Sequence, residues 1–288
     1  QYSLDYAKSR PQGRLPSCKD PLSPLVNIIE HADVRRMLLA QKTYAEGAYA
    51  LVLYGTQLSD DERTAETPEA RQQAHLLLDF LTPIIKSWPS EYGPKANDLA
   101  IQVLAGHGYI NEHPVEMFYR DNRLNPIHEG TTGIQSLDLL ARKVPMNNLA
   151  GYIATLAVME TTIAEAQVWP RAAVHAQALQ DAVKVLKDTT RTLLGAMQSS
   201  PIDLVLANSV TYLELFGHVT IAWLWLRQGM VAEQALEKDP HPDDDAFYQG
   251  KMQALQYFYH YELPKVAQWS ALLVSLDNTT HDMQPEWF

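Results

Sequence analysis

The sequence predicts an all-α protein built around an antiparallel helical bundle. Apolar residues recur at spacings of three and four over long segments, as they do on one face of a helix. In residues 24–58, for example, Val26, Ile29 and Met37 follow this period. No alternating strand pattern of useful length interrupts the first 145 residues, and the connections between the periodic segments are short. Short connections between long helices favour antiparallel neighbours.

Proline, glycine and charged residues mark the expected helix ends in the first half. Pro11 stops a helical segment in residues 1–14. The acidic stretch 59–67 is interpreted as a solvated linker, and the prolines within residues 88–94 are expected to interrupt the helical pattern. The helices expected after the first segment are 24–58, 68–86 and about 95–105, the last ending at the Gly106-His107-Gly108 turn.

Past Pro145 the pattern is helical again and rich in aromatic residues. Breaks are expected at Pro170, at Pro201 and in the turn Asp239-Pro240-His241-Pro242. An aromatic stripe such as the one around Trp223 is usually core or subunit interface, so we do not interpret it as a cofactor site. The helices expected here are about 147–167, 171–199, 201–236 and 244–275.

Composition and charge limit the classes of function. The net charge of −11 disfavours a nucleic-acid partner, because binding to a phosphate backbone relies on Lys and Arg. Cys18 is the only cysteine, which excludes intrachain disulfides and multi-cysteine metal sites. No histidines have metal-binding spacing, and we predict no metal. No apolar run approaches the ~20 residues of a membrane span. We therefore expect a cytoplasmic protein with no membrane span.

The best candidate for chemistry lies in the segment Ile127 to Gln135. Thr132 and Gln135 have the spacing of a capping box, which predicts a helix start at this point. Glu129 is then expected just outside a helix N-terminus, beside free backbone N–H groups. Gly130 leaves room for a ligand to approach the backbone. The local pattern by itself favours a simpler role for Glu129, that of an acid complementing the helix dipole.

Three blocks of the first half have the order and spacing of one enzyme family. They are Gln102 to Gly108, Arg120-Asp121 and His128 to Gln135. Together they resemble the Q-x-x-G-G-x-G turn, the R-D pair and the Y-E-G-T-x-x-I-Q segment of the acyl-CoA dehydrogenase family. Tyr6 to Arg14 resembles the end of the long helix that opens the family's C-terminal domain, and Phe247 to Lys251 resembles an extra helical region that one long branch carries.

The resemblance implies a fold and a domain organisation. Residues 1–145 correspond to the family's C-terminal helical bundle, and residues 146–288 to a C-terminal helical extension. In the family, an N-terminal helical domain and a middle β-domain precede this portion, and neither corresponds to any part of this chain. We therefore expect the chain to be a C-terminal fragment that is inactive on its own.

The resemblance also implies FAD-dependent dehydrogenation of an acyl-CoA thioester. Glu129 matches the base that removes the α proton while hydride passes to flavin N5. Glu129 and Gly130 would contact the substrate, with the Glu129 N–H donating to the thioester oxygen. Several cofactor contacts reach a neighbouring subunit in the family, which implies a homo-oligomer, either dimer or tetramer. Electron-transfer flavoprotein is the implied electron acceptor. The implied FAD contacts are Arg10, Gln12, Gln102, Gly106 and Thr131.

Three positions depart from the family pattern. Ala105 replaces a glycine, which the sequence suggests is a mild change, and Gly133 stands where some members have a polar FAD contact. His128 replaces a tyrosine, and its imidazole could tune Glu129 or compete with it as a base. A second class of function stays open, in which the chain is a non-catalytic helical assembly or a nucleic-acid-associated member of the same scaffold. The acidic charge and Glu129 count against it.

Overall fold

A computed structural model of the protein describes residues 1–238 and 240–288. The chain is 79% helical, and no strand occurs in the described residues, so the predicted all-α fold is confirmed. An isolated antiparallel bridge joins Pro11 to Asn27. Of the turn predicted at 239–242, Asp239 lies outside the described residues. No helix in the described part of the chain combines the length and apolarity needed to cross a membrane.

Five α-helices form the first half, together with 3₁₀ turns at 28–30 and 105–109 and a π turn at 138–143. The second helix, α2 (Ala32–Thr64), continues six residues beyond the predicted end at 58 and includes most of the predicted linker. The acidic stretch is partly exposed but helical up to Thr64, with Arg63 paired to Asp60 one turn earlier. The five helices are α1 (Tyr2–Ser9), α2 (Ala32–Thr64), α3 (Pro68–Leu104), α4 (Val115–Asn122) and α5 (Thr132–Leu137).

The interruption predicted at 88–94 is wrong, because α3 runs unbroken through three internal prolines. Each interior proline costs a helix roughly 3 kcal/mol. Burial on the face of α3 opposes that cost: Trp88 and Tyr92 are almost fully buried and stack with ring centroids 4.3 Å apart. Each buried large apolar side chain contributes about 1.5–3 kcal/mol, so the tertiary contacts outweigh the local propensity.

The described residues of the second half form seven further α-helices and a π turn at 258–262. Two predicted helices are each divided, 201–236 at residues 207–208 and 244–275 at Pro264. Both π turns of the described chain lie just before a proline, Pro145 or Pro264. A proline ring clashes with the carbonyl four residues earlier, and the wider π turn relieves that clash. The helices are α6 (Met146–Ala166), α7 (Pro170–Ser199), α8 (Ile202–Leu206), α9 (Ser209–Leu236), α10 (Pro242–Tyr257), α11 (Lys265–Val274) and α12 (Thr279–Asp282).

α9 is the central helix of the molecule. Its residues from 212 to 226 are all buried except Glu214, so it has no solvent face over nearly four turns. It packs against α2, α3, α5, α6, α7, α10 and α11. Trp223 and Trp225 are buried there, in agreement with the interpretation of the aromatic region as core. One hydrophobic cluster therefore spans both halves, and the division at residue 145 remains a prediction.

Glu233 on α9 caps the N-terminus of α7. Trp169 occupies the N-cap position, where an indole offers no acceptor for the free N–H groups. The buried Glu233 carboxylate supplies two, accepting from the backbone N–H groups of Arg171 and Ala172, both at 2.8 Å. A carboxylate at this end of a helix is also favoured by the helix dipole.

We expect Glu233→Ala to lower the free energy of unfolding by about 2 kcal/mol, since one buried and one part-buried N–H group lose a charged acceptor. Urea unfolding followed by circular dichroism measures the change. Glu165→Ala is the matched control, because Glu165 is exposed on α6, and it should shift stability by less than about 0.5 kcal/mol. Equal stabilities for the two variants would contradict the capping role.

A buried polar network also joins the two halves. Glu262 accepts hydrogen bonds from Tyr44 at 2.8 Å and Lys265 at 2.6 Å, and it lies 3.4 Å from the His218 ring. His218 is fully buried, with Tyr92 Oη 3.3 Å away. Burial lowers the pKa of His218, although Glu262 partly opposes the shift. Burial alone would raise the pKa of Glu262, but hydrogen bonds from His218 and Lys265 lower it overall.

The lowered pKa of His218 predicts a loss of stability on mild acidification. Below the ordinary histidine pKa of about 6.5, the unfolded chain takes up a proton that the folded chain does not, so stability falls as the pH falls. We expect wild type to lose more unfolding free energy between pH 7.5 and pH 5 than His218→Gln does, measured by urea unfolding at both pH values. Parallel pH profiles would refute the assignment. The contribution of Glu262 is lost only below its ordinary pKa, outside this range.

Candidate functional site

The loop between α4 and α5 carries Glu129. Turn hydrogen bonds shape it: the Ile127 N–H donates to Leu124 O at 2.9 Å, and the Thr132 N–H donates to Pro126 O at 3.3 Å. Glu129 has a φ of 55° and Gly130 a φ of 85°, both in the left-handed region. That region is unfavourable for glutamate and easily adopted by glycine. The backbone at Glu129 is therefore strained, as is common at functional positions.

Thr131, not Thr132, is the N-cap of α5. The Thr131 hydroxyl accepts from the Ile134 N–H at 3.4 Å, so the predicted capping box is wrong by one residue. The Thr132 hydroxyl instead donates to Glu91 Oε1 on α3 at 2.5 Å. Gln135 does not reach an N-cap amide either, because its Nε2 donates to Glu129 O at 3.2 Å. Glu129 lies just outside the helix start, as expected.

Lys86 on α3 makes two hydrogen bonds to the same loop. Its Nζ donates to Gly130 O at 2.5 Å and to Asn125 O at 3.0 Å. Burial lowers the pKa of the Lys86 ammonium, while the charges of Glu91 and Glu129 act in the opposite direction. Neither Lys86 nor Glu91 was predicted from the sequence as part of the site. The sequence did contain one signal for Lys86, a charged residue that interrupts the apolar periodicity of α3 between Ile85 and Ser87.

Glu129 itself is exposed, and its carboxylate makes no hydrogen bond or ion pair within the described residues. Its backbone N–H also donates to no acceptor in that part of the chain. Glu129 thus offers a free hydrogen-bond acceptor, its carboxylate, and a free donor, its backbone N–H. The neighbouring His128 ring has Nδ1 3.1 Å from Leu124 O, and since a carbonyl only accepts, this nitrogen carries the proton. In the neutral ring, Nε2 is then the nitrogen with the lone pair.

Arg10 and Gln12 follow the end of α1, and both side chains are exposed. Their backbone is fixed by pairing with residues 26–28: the Gln12 N–H donates to Val26 O at 2.9 Å, and the Ile28 N–H donates to Arg10 O at 2.8 Å. His31 Nε2 lies 2.8 Å from Gln12 O. The two side chains are therefore presented to solvent from a fixed backbone.

Gln102 and Gly106 lie at the C-terminal end of α3, where Ala105 ends the helix. Ala105 has φ 51° and ψ −133°, a region adopted almost only by glycine. Its replacement of the family glycine is thus a strained change, and the interpretation as mild is wrong. Apart from its own chain neighbours, no atom lies within 4 Å of the position where a Cβ on Gly106 would stand, so the backbone there is open to a ligand.

The predicted site residues fall into two groups. Glu129, Gly130 and Thr131 are adjacent to Lys86 and Glu91, while the other four lie around the far end of α3, where Ala7 of α1 packs on Val103. Gln102 follows Lys86 by sixteen residues on the same helix, a separation of about 24 Å. The structure thus places Glu129, Gly130 and Thr131 together, at a distance from Gln102 and Gly106 at the other end of α3. Within the described residues, no cluster of three or more His, Cys, Asp or Glu side chains could hold a metal ion.

Two family models match the chain, one in each half. The family model for the acyl-CoA dehydrogenase C-terminal domain matches residues 17–144, and that for an acetyl-CoA dehydrogenase C-terminal-like domain matches residues 155–284. The chain belongs to the acyl-CoA dehydrogenase family.

Relatives in the family match over nearly the whole chain. A broad-specificity linear acyl-CoA dehydrogenase, FadE5 of Mycobacterium tuberculosis, is 32% identical over 99% of this chain and 48% of its own length. The 3-methylmercaptopropionyl-CoA dehydrogenase of Ruegeria pomeroyi is 34% identical over 90% of this chain and 43% of its own. The chain thus spans about half the length of the curated relatives it matches.

Solved structures of the family share the fold. Caenorhabditis elegans ACDH-11 in complex with C11-CoA aligns with a TM-score of 0.69 and 17% identity, over 96% of this chain and 44% of that one. A Bacillus anthracis acyl-CoA dehydrogenase complexed with FAD gives the same TM-score with 15% identity, over 97% of this chain and 46% of that one. At these identities the likeness concerns the fold alone.

The left-handed backbone at Gly130 predicts a cost for any side chain there. A Cβ at Gly130 would stand 2.7 Å from Gln135 Nε2, in addition to the φ of 85°. We expect Gly130→Ala to lower the unfolding free energy by about 1 kcal/mol. Gly133→Ala is the control, since its Cβ would meet only Thr131 Oγ1 at 3.9 Å, and alanine favours the helix. Urea unfolding compares the two, and equal stability would argue against the strain.

Proposed function

We propose that this chain supplies the catalytic base of an FAD-dependent acyl-CoA dehydrogenase, with Glu129 removing the α proton of an acyl-CoA thioester. The supporting observation is the unpaired, exposed Glu129 carboxylate on a loop that Lys86 and Glu91 fix to α3. The whole protein would oxidise the bond between the α and β carbons of its substrate. When bound, FAD would accept the hydride that leaves the β carbon.

The free groups of Glu129 match the needs of this reaction. A base must have an available lone pair within reach of the proton, and the Glu129 carboxylate has no competing partner in the described chain. As the α proton leaves, negative charge develops on the thioester oxygen and needs a hydrogen-bond donor. The Glu129 N–H is unused, and Gly130 beside it has no side chain to obstruct the thioester. Exposed Ile134, 3.7 Å from the position of a Gly130 Cβ, offers an apolar contact.

The residues proposed to hold FAD fit such a ligand. Arg10 and Gln12 present free side chains, Gly106 leaves the backbone open, and the Thr131 hydroxyl accepts from Ile134 while its own hydrogen stays available. Gln102 would contact the cofactor beside Gly106. The separation of about 24 Å along α3 between the two groups supports contacts to two different cofactors. We therefore propose a homo-oligomer, dimer or tetramer, in which one group reaches the FAD of a neighbouring subunit.

We also propose electron-transfer flavoprotein as the electron acceptor. Residues 1–145 are proposed to form the catalytic bundle, and residues 146–288 an extension beyond it. The alternative is a non-catalytic or nucleic-acid-associated helical assembly. FAD absorbance of the whole protein, and its bleaching by acyl-CoA, distinguishes the two. A colourless protein unaffected by acyl-CoA would favour the assembly.

The decisive experiment is Glu129→Gln in the whole protein. Glutamine keeps the size and hydrogen-bonding reach of the side chain but lacks the basic lone pair, so folding and FAD content should survive. We expect kcat to fall by about 10²–10⁴-fold in stopped-flow flavin bleaching, the usual cost of removing a general base. Glu129→Asp should also lose rate, because the carboxylate withdraws by one methylene.

Glu112→Gln is the matched control, an exposed acid on the preceding loop, and it should leave kcat within about twofold of wild type. Retention of more than about a tenth of wild-type kcat by Glu129→Gln would place the base elsewhere. His128 would then be tested first, because its Nε2 keeps a lone pair.

A further inference from the structure

We infer that Lys86 is a positioning residue for Glu129: its ammonium fixes the backbone on both sides of the catalytic carboxylate. The inference deepens the proposed function and rests on the assignment of Glu129 as the base. Lys86 lies on α3, 43 residues before Glu129, and the proposed chemistry assigns it no direct role.

The contacts of Lys86 bracket the catalytic residue. One ammonium donates to Asn125 O, four residues before Glu129, and to Gly130 O, immediately after it. Hydrogen bonds from a charged donor to a carbonyl are roughly twice as strong as neutral ones. Two such bonds from one side chain fix the ends of the loop relative to each other and to α3.

The peptide groups around Gly130 are each held by a separate side chain. Gln135 Nε2 donates to Glu129 O at 3.2 Å, and Lys86 Nζ donates to Gly130 O at 2.5 Å. These contacts oppose relaxation of the left-handed backbone at 129 and 130. A loop free to relax would move the Glu129 N–H and carboxylate together, although both must meet one substrate.

α3 makes this support rigid. Lys86 is half-buried and lies directly before the buried Ser87 and Trp88. Glu91 holds Thr132 from the same helix. α3 thus contacts the loop at residues 125, 130 and 132, and any displacement of the loop must break a contact with a helix that is packed into the core.

The first test measures the loop without any cofactor. Hydrogen–deuterium exchange of this 288-residue chain reports on the turn amides of Leu124, Ile127 and Thr132. We expect Lys86→Met, of similar length, to accelerate exchange in the peptide 124–135 by about tenfold or more, because two charge-assisted bonds are lost. Lys95→Met is the matched control on the same helix, where the ammonium lies over the Tyr92 ring, and it should leave this peptide unchanged.

The second test is a double-mutant cycle in the whole protein. We expect Lys86→Met to lower the rate of flavin reduction by about 10²-fold while KM stays within about threefold, the pattern of a misplaced base. Lys86→Arg keeps the charge and should recover to within about tenfold of wild type. In a Glu129→Gln background, Lys86→Met should add little, because the residue whose position it controls is already disabled.

The outcomes separate the two proposals. An inactive Glu129→Gln together with a fully active Lys86→Met would overturn only the positioning role, as would additive losses in the cycle or unchanged exchange in the peptide 124–135. A fully active Glu129→Gln would overturn the base assignment whatever Lys86→Met does. If Lys86→Met failed to fold, the rates of flavin reduction of Lys86→Arg and Lys86→Gln would be compared instead. A rate that recovers with arginine but not with glutamine supports the positioning role, and equal rates refute it.

Discussion

The unbroken burial of one face of α3 is the constraint on which the rest of the structure depends. Its three internal prolines would each disturb an isolated helix, yet α3 continues over 37 residues because α2, α6 and α9 cover its apolar face. The functional consequence is geometric. A continuous helix keeps Lys86 and Glu91 in fixed register with Gln102 at its end, so the Glu129 loop and the proposed cofactor turn are attached to one rigid element.

The two halves of the chain are joined by polar as well as apolar contacts. Tyr44 on α2 donates to Glu262, which follows α10, and His218 on α9 lies beside Trp88 and Tyr92 of α3. Buried polar groups are costly unless each finds a partner, and here the partners come from opposite halves. The network therefore favours one packing of the second half against α3. Residues 146–288 thereby stabilise the helix that carries the site, without contributing any of the proposed catalytic groups.

Sequence patterns predicted the helical class and the place of Glu129 because both depend on local information. Apolar periodicity over α2 and α7 and a helix start near Thr132 need no knowledge of distant residues. The sequence-based predictions are wrong where a contact with a residue distant in the sequence determines the local structure. Thr132 looked like the cap, but Glu91, 41 residues earlier, takes its hydroxyl. The prolines of α3 looked like breaks, because the burial that overrides them is tertiary. Lys86 was missed for the same reason, since its two acceptors lie about 40 residues away in the sequence.

Backbone strain occurs in both of the groups proposed to face ligands, and also outside them at Asn147, Asn148, Leu149 and Leu276. Ala105 adopts a glycine-like conformation beside Gly106, and Glu129 adopts a left-handed one beside Gly130. In both cases a residue with a side chain accepts an unfavourable φ next to a glycine that leaves the backbone open. Such strain persists only where surrounding contacts enforce it. At Glu129 those contacts are the side chains of Lys86 and Gln135, whose donors hold the carbonyls of Gly130 and Glu129. The cost of holding an acid in this conformation is understandable if its N–H and its carboxylate must both face one substrate, because a relaxed loop would move both groups away from that substrate.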